Sequence, residues 1–209
     1  MWFVFRDFFG LPVVITYCLG VMSAYFYFKN NPPKNILPLA LSSCFVVFMF
    51  FQGWAYWIHK IDYGTFTGRI EAYKLQTNFE AFDEQKNLVA DNNFQNKIVL
   101  LDFWYTRCGV CFEKFPQVQA VYDKYRNDSS VAIFAVDKPI DEDKPGEAFN
   151  VIKEKGYSFP VVIAKDEELP EKFGVKGYPT TFVIDRNGMI VFKGGIEGAI
   201  KMVDNLKNN

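Results

Sequence analysis

Histidine is almost missing from this 209-residue chain: His59 is the only one. Cysteine is scarce as well. Of four cysteines, only Cys108 and Cys111 fall after Ile58. Zinc needs four ligands, mostly Cys and His, so a Cys/His zinc site lacks ligands within one chain and no metal ligand is assigned. A single pair of cysteines also excludes a framework of structural disulfides, which a domain of this size does not require. An excess of basic residues is absent too. The 23 Lys and Arg balance 24 Asp and Glu, giving a net charge of −1, so nothing marks a nucleic-acid partner. Internal repeats and low-complexity tracts are lacking.

Charge itself disappears from two stretches. Phe8 to Phe28 contains no Asp, Glu, Lys, Arg or His, and neither does Asn35 to Ile58. About 20 apolar residues of helix match the thickness of a bilayer core. A buried soluble helix shows a polar face, which these segments lack. Aromatic residues gather near their ends: Trp2, Tyr25 and Tyr27 on the first, Trp54, Tyr56 and Trp57 on the second. That is the distribution of an interfacial belt. The expectation is a transmembrane helical hairpin over 1–60, with spans at about 8–28 and 36–58 and the lipid bilayer as partner. The first segment is too long, and too bulky at its end, for a cleaved signal peptide. The connector carries Lys29 and Lys34 without an acid, which favours a cytoplasmic connector and an extracytoplasmic (periplasmic) domain; Lys60, Arg69 and Lys74 pull the other way.

Beyond the second segment, 61–78 reads as a linker and 79–209 as the folded domain. Phe79 to Phe82 and Asn87 to Val89 read as paired extended segments. Ile98 to Trp104 is an apolar run broken only by Asp102, which suits a central strand buried on both faces. From Cys108 the period changes: Phe112, Phe115, Val118, Val121, Tyr122 and Tyr125 mark one helix face, with a kink expected at Pro116. Val131 to Val136 is a second buried strand, Pro145 to Lys155 a helix, Val161 to Ala164 a short strand and Leu169 to Phe173 a brief helix. Thr181 to Ile184 and Met189 to Lys193 flank Asn187-Gly188, a strong hairpin signal. Gly198 to Lys207 closes the chain as a helix. The order describes an α/β sandwich around a mixed sheet.

Chemistry concentrates in Cys108-Gly109-Val110-Cys111. This spacing also serves zinc, but here it follows a strand and opens a helix, the context of a dithiol redox centre. A thiolate is the reactive form. Cys108 at a helix N-terminus gains from unpaired N–H groups and the macrodipole, and Arg107 favours the anion if its side chain turns toward the sulfur. Asp102 is the one charge in its strand. It is either a buried acid with a raised pKa that exchanges a proton with Cys111, or an exposed strand-end carboxylate. Trp104 reads as packing around the dithiol. Glu113, Lys114 and Glu147 read as solvated helix surface. Cys18 and Cys44 lie at similar depth in the expected hairpin, either as a membrane dithiol relaying electrons or as small apolar residues.

Together these motifs resemble the thioredoxin fold, and more closely the membrane-anchored, extracytoplasmic TlpA/ResA-type thiol-disulfide oxidoreductases. The residues carrying the resemblance are Val99 to Trp104, Cys108 to Cys111, Phe115-Pro116, Gly174-Val175, Gly177 to Phe182 and Asp185 to Gly188. It covers about 79–209. It implies that Cys108 attacks and Cys111 resolves, with Asp102 as the buried acid. It also implies a cis-proline loop at Tyr178-Pro179, where the Tyr178 backbone pairs with an extended substrate. The chain departs from the family at Arg107, where Trp is usual, and at Val110, where Pro is frequent; both border the attacking sulfur. The expected activity is reduction of protein disulfides outside the cytoplasm, fed by a membrane electron donor protein, with the redox-active disulfide as the only cofactor. Two other readings stay open, a thiol peroxidase and a non-catalytic partner-binding module. Against the peroxidase, the position three before Cys108 holds Tyr105 where peroxiredoxins carry Thr.

Overall fold

The computed structural model describes residues 11–29, 36–74 and 78–208. Trp2 and most of the polar connector expected at 29–34 lie outside them. The chain divides into two compact units, one ending at Phe66 and the other running Thr67–Asn209.

In the first unit, α1 spans Leu11–Lys29 and α2 spans Ile36–Phe48. A π-helical turn, Met49–Gly53, then leads into α3, Trp54–Tyr63. The second expected apolar segment is thus divided by the π turn, and helix persists through His59 to Tyr63, into the stretch expected as linker. Gly64, with φ of +79°, closes α3 through its N–H to the Lys60 carbonyl. Among the described residues no helix is long and apolar enough to cross a membrane. The expectation of two membrane spans is therefore not supported by this structure.

The second unit is built on an eight-stranded mixed sheet. Its strands are β1 (Arg69–Tyr73), β2 (Glu80–Phe82), β3 (Leu88–Ala90), β4 (Ile98–Trp104), β5 (Val131–Asp137), β6 (Val161–Ala164), β7 (Thr180–Ile184) and β8 (Ile190–Gly194). They lie in the order β1-β8-β7-β4-β5-β6-β2-β3. The β4–β5 and β5–β6 pairs are parallel and the others antiparallel. Parallel neighbours need a crossover. One is α4 (Gly109–Tyr125), and the other contains α5 (Glu147–Glu154). A short α6 (Leu169–Lys172) and the closing α7 (Ile196–Asn208) complete the unit.

β4 is fully buried along its length, as its apolar run, broken only by Asp102, requires. Successive side chains alternate between faces. Ile98, Leu100 and Trp104 join Phe115, Val118, Ile152, Ala199 and Val203 in one core layer. Val99, Leu101 and Phe103 join Phe79, Phe94, Phe173 and Phe182 in the other. α4 buries Cys111, Phe115, Val118 and Val121, a single stripe at helical spacing. It continues through Pro116, which is exposed. The β7–β8 hairpin turns on Asp185, whose Oδ1 accepts from the N–H groups of Asn187 and Met189, both at 2.9 Å; Gly188 supplies a φ of +76°.

One strand was not legible in the sequence. β1 lies in the stretch expected as linker and pairs with β8. It is an edge strand whose side chains are exposed apart from a half-buried Ile70, so no apolar period marks it. Gly68 precedes it with φ of +80°, and a Cβ there would lie 2.1 Å from the ring of Phe192. Phe192 is 2 % exposed and is also crowded by Gly198, so it has little room to yield. Gly68→Ala is expected to lower stability by about 1–3 kcal/mol from overpacking alone. Urea unfolding of the full chain measures it; an unchanged midpoint would show that β1 can shift without cost.

Candidate active site

The dithiol sits where a buried strand feeds a helix. After Trp104 the chain turns through Tyr105, Thr106 and Arg107, and the Cys108 N–H closes this turn on the Tyr105 carbonyl at 3.0 Å. Cys108 is the N-cap of α4, with φ −81° and ψ 92°. Its Sγ accepts from the Cys111 N–H at 3.2 Å. One helical turn brings the two sulfurs together, and they form a disulfide with Cα atoms 5.2 Å apart. Cys108 is 4 % exposed and Cys111 is fully buried, so the first sulfur is the one that faces outward. When the bond opens, the same N–H and the helix end favour an anion on Cys108. Val110, between the cysteines, is 55 % exposed.

Asp102 is fully buried on the dithiol side of β4. The antiparallel β4–β7 register sets it opposite Thr181, whose hydroxyl donates to Asp102 Oδ1 at 2.7 Å. Oδ2 has no hydrogen-bond partner among the described residues. Burial pushes the carboxyl up to about 6; the Thr181 hydrogen bond works against this and the charge of Glu197 with it. Of the two placements open in the sequence, the buried one is observed. Trp104 is fully buried and packs edge-on against Phe115 at 5.1 Å and Phe112 at 6.3 Å, tying the end of β4 to the first turns of α4.

The Tyr178-Pro179 bond is cis. The Tyr178 ring meets that of Tyr105 edge-on at 5.3 Å. Burial first, then the charges of Glu171 and Asp137, hold the Tyr178 phenol above its ordinary range. Arg107 does not spend its charge on the sulfur. Its guanidinium donates to the Glu142 carbonyl at 3.0 Å and lies 3.7 Å from the Glu147 carboxylate. Thr106 donates to Asp143 Oδ1, and Asp143 Oδ2 accepts from the Ile140 N–H at 3.1 Å. The loop after β5 is thereby clasped to the turn before Cys108. Glu147 and Lys114, read as plain helix surface, are both paired, Lys114 with Glu197 at 2.6 Å.

Sequence reasoning missed Thr181 as the partner of Asp102, and it ended β5 one residue short of Asp137. That residue is 1 % exposed, and burial, followed by the charges of Asp143 and Glu147, pushes its carboxyl up to about 8. The available signal was an acid continuing an apolar strand, the pattern that singled out Asp102. Cys18 and Cys44 are free and exposed in the first unit. Among the described residues no cluster of three His, Cys, Asp or Glu side chains can hold a metal ion.

Comparison with known proteins agrees with this geometry. Residues 74–193 match the model of the AhpC/TSA family, more than half of the chain. The chain is 29% identical over 163 residues to the thiol-disulfide oxidoreductase ResA of Bacillus cereus, covering 78% of this chain and 87% of that one. A thiol:disulfide interchange protein from Bacteroides sp. superposes with a TM-score of 0.58 at 21% identity, covering 67% of this chain and 92% of that one. A protein described as a putative thiol:disulfide interchange protein DsbE from Chlorobium tepidum gives 0.54 at 25% identity, covering 66% and 96%. The match over residues 74–193 makes this chain a member of the AhpC/TSA family, and its ResA relatives, together with a dithiol capping a helix behind a buried strand, make it a thioredoxin-like thiol-disulfide oxidoreductase of the TlpA/ResA type.

Proposed function

We propose that the protein reduces disulfides of other proteins outside the cytoplasm, with Cys108 as nucleophile, Cys111 as resolving thiol and Asp102 as the base that takes the Cys111 proton. The observation that carries this reading is the asymmetry of the pair. Cys108 is outermost and capped by a backbone N–H, while Cys111 is sealed on the sheet face that also bears Asp102. The Cys108 thiolate attacks a substrate disulfide and expels one substrate thiolate, leaving a mixed disulfide. Cys111 passes its proton to Asp102 and attacks Cys108 Sγ, releasing the second substrate thiolate and closing the Cys108–Cys111 bond. The Tyr178 backbone, just before the cis Pro179, supplies the surface on which an extended substrate strand lies, with Tyr178 and Tyr105 as its aromatic wall. A membrane electron donor protein reopens the disulfide.

The first unit supports attachment to a membrane. Val14, Ile15, Tyr17, Val21, Met22, Tyr25 and Phe28 of α1, and Leu37, Leu41, Val46, Val47 and Phe48 of α2, are exposed. So much exposed apolar surface is unfavourable in water and favourable against acyl chains.

Insulin reduction by the reduced protein, combined with labelling of intact cells by a membrane-impermeant maleimide, tests both parts. The expected result is disulfide reduction above the dithiothreitol background, and labelling of Cys108 without lysis. Labelling only after lysis would place the site in the cytoplasm, and absence of insulin reduction would remove the reductase.

A further inference from the structure

Three buried polar atoms on the dithiol face of the sheet have no hydrogen-bond partner among the described residues: Asp102 Oδ2, Trp104 Nε1 and Asp137 Oδ1. Asp102 belongs to the mechanism above. Asp137 does not, and its placement is specific. The parallel β4–β5 register sets it directly opposite Trp104, and strand alternation puts it on the same face as Ala135, in the layer that holds both cysteines. Trp104 leads directly into the turn that the Cys108 N–H closes on the Tyr105 carbonyl at 3.0 Å.

The groups facing Asp137 are mostly acidic. Asp143 reaches it from the loop after β5 and Glu147 from the first turn of α5. They are the acids that hold Thr106 and Arg107, the two residues before Cys108. From the loop before β7, Tyr178 feels the charge of Asp137. The adjacent Lys138 is turned away to Glu171, at 2.6 Å. A carboxyl with no cation of its own, walled by two carboxylates, keeps its proton at a pH where ordinary acids have lost theirs.

We propose that Asp137 is a positioning residue of the redox centre, which takes up a proton when the disulfide is reduced and so limits the negative charge beside the Cys108 thiolate. Opening the disulfide with dithiothreitol breaks the S–S bond and moves two electrons onto the sulfurs. The two dithiothreitol thiols close to a cyclic disulfide and release two protons. One goes to Cys111, and Cys108 remains a thiolate. The second goes to Asp137 in those molecules where it was ionised, and to solvent in the rest. A new anion on Cys108, in the same core layer, disfavours a second charge on Asp137, so the new thiolate draws that proton.

The test is a proton count on the full chain in detergent at pH 8, during reduction by dithiothreitol. Wild type is expected to release a fraction of a proton fewer per disulfide than Asp137→Asn, which keeps the shape and cannot ionise. Equal counts overturn the proposal. In parallel, carbon-13 NMR of labelled aspartate follows the Asp137 carboxyl of the wild type in both redox states. Its midpoint is expected to rise on reduction. A midpoint that does not move overturns the proposal even if Asp137→Asn fails to fold. A role confined to packing moves neither readout.

Discussion

Cys111→Ala is expected to stop turnover and leave the protein covalently joined to its substrate. Two features of the site lead to this. Cys108 is the sulfur at the surface end of α4, where the Cys111 N–H already points at it from 3.2 Å. Cys111 has no exposure at all, so it reaches Cys108 and nothing outside. Without Cys111 the mixed disulfide has no internal thiol to displace it, and its lifetime is set by thiols from solution. Non-reducing electrophoresis after incubation with insulin should show a stable adduct for Cys111→Ala. Cys108→Ala should show none, and both variants should fall to background in insulin reduction. The double comparison also excludes Cys18 and Cys44 as the source of the adduct. An adduct that persists in Cys108→Ala, or a Cys111→Ala variant that still turns over, would reverse or abolish the assigned roles.

The parts of this site that the sequence exposed are those whose signal is local. Ile98 to Trp104 reads as a buried strand because seven successive residues are apolar but for one, and β4 occupies that span. Asp102 is conspicuous for the same reason: an acid in such a run is costly unless its burial is used. The change from unbroken apolar residues to a three-four period at Cys108 marks the start of α4 within one residue. Asn187-Gly188 announces its hairpin through backbone chemistry that needs no tertiary context.

What stayed hidden depends on pairing across the sheet or between loops. Nothing near Thr181 in sequence says that it faces Asp102; only the β4–β7 register does. The same holds for Arg107. Its neighbour in sequence is the reactive sulfur, but the loop after β5 brings Glu142 and Glu147 within reach, and the guanidinium goes there. Edge strand β1 was invisible because only Ile70 has anything to pack against. The apolar N-terminal segments show the opposite limit. Composition gave two uninterrupted spans, while the backbone breaks the second with a π turn at Met49–Gly53, a geometric feature without a composition signal.

Asp102→Asn is expected to make the oxidised protein more stable and a slower catalyst. Burial raises the Asp102 carboxyl from its ordinary value of 3.8 to about 6 in the folded state. Between those values the folded protein holds a proton that the unfolded chain has lost, so stability falls as pH rises through the window. Below about 3.8 both states are protonated and the penalty is absent. At pH 7 it is complete, about 3 kcal/mol by linkage. Asparagine removes the ionisation while its amide oxygen can still accept from the Thr181 hydroxyl. The gain in stability on substitution should therefore approach about 3 kcal/mol at pH 7 and fade toward pH 4, as measured by urea unfolding of the disulfide form. The catalytic consequence runs the other way. In the proposed mechanism resolution of the mixed disulfide uses Asp102 as carboxylate, so its wild-type rate is expected to rise with pH through about 6, and the variant to be slower at pH 7 and lack that rise. The two effects share one midpoint because they share one proton. A stability difference that does not depend on pH would show that packing, not ionisation, governs this position. An unchanged resolution rate would leave Cys111 to lose its proton to another group on the same face.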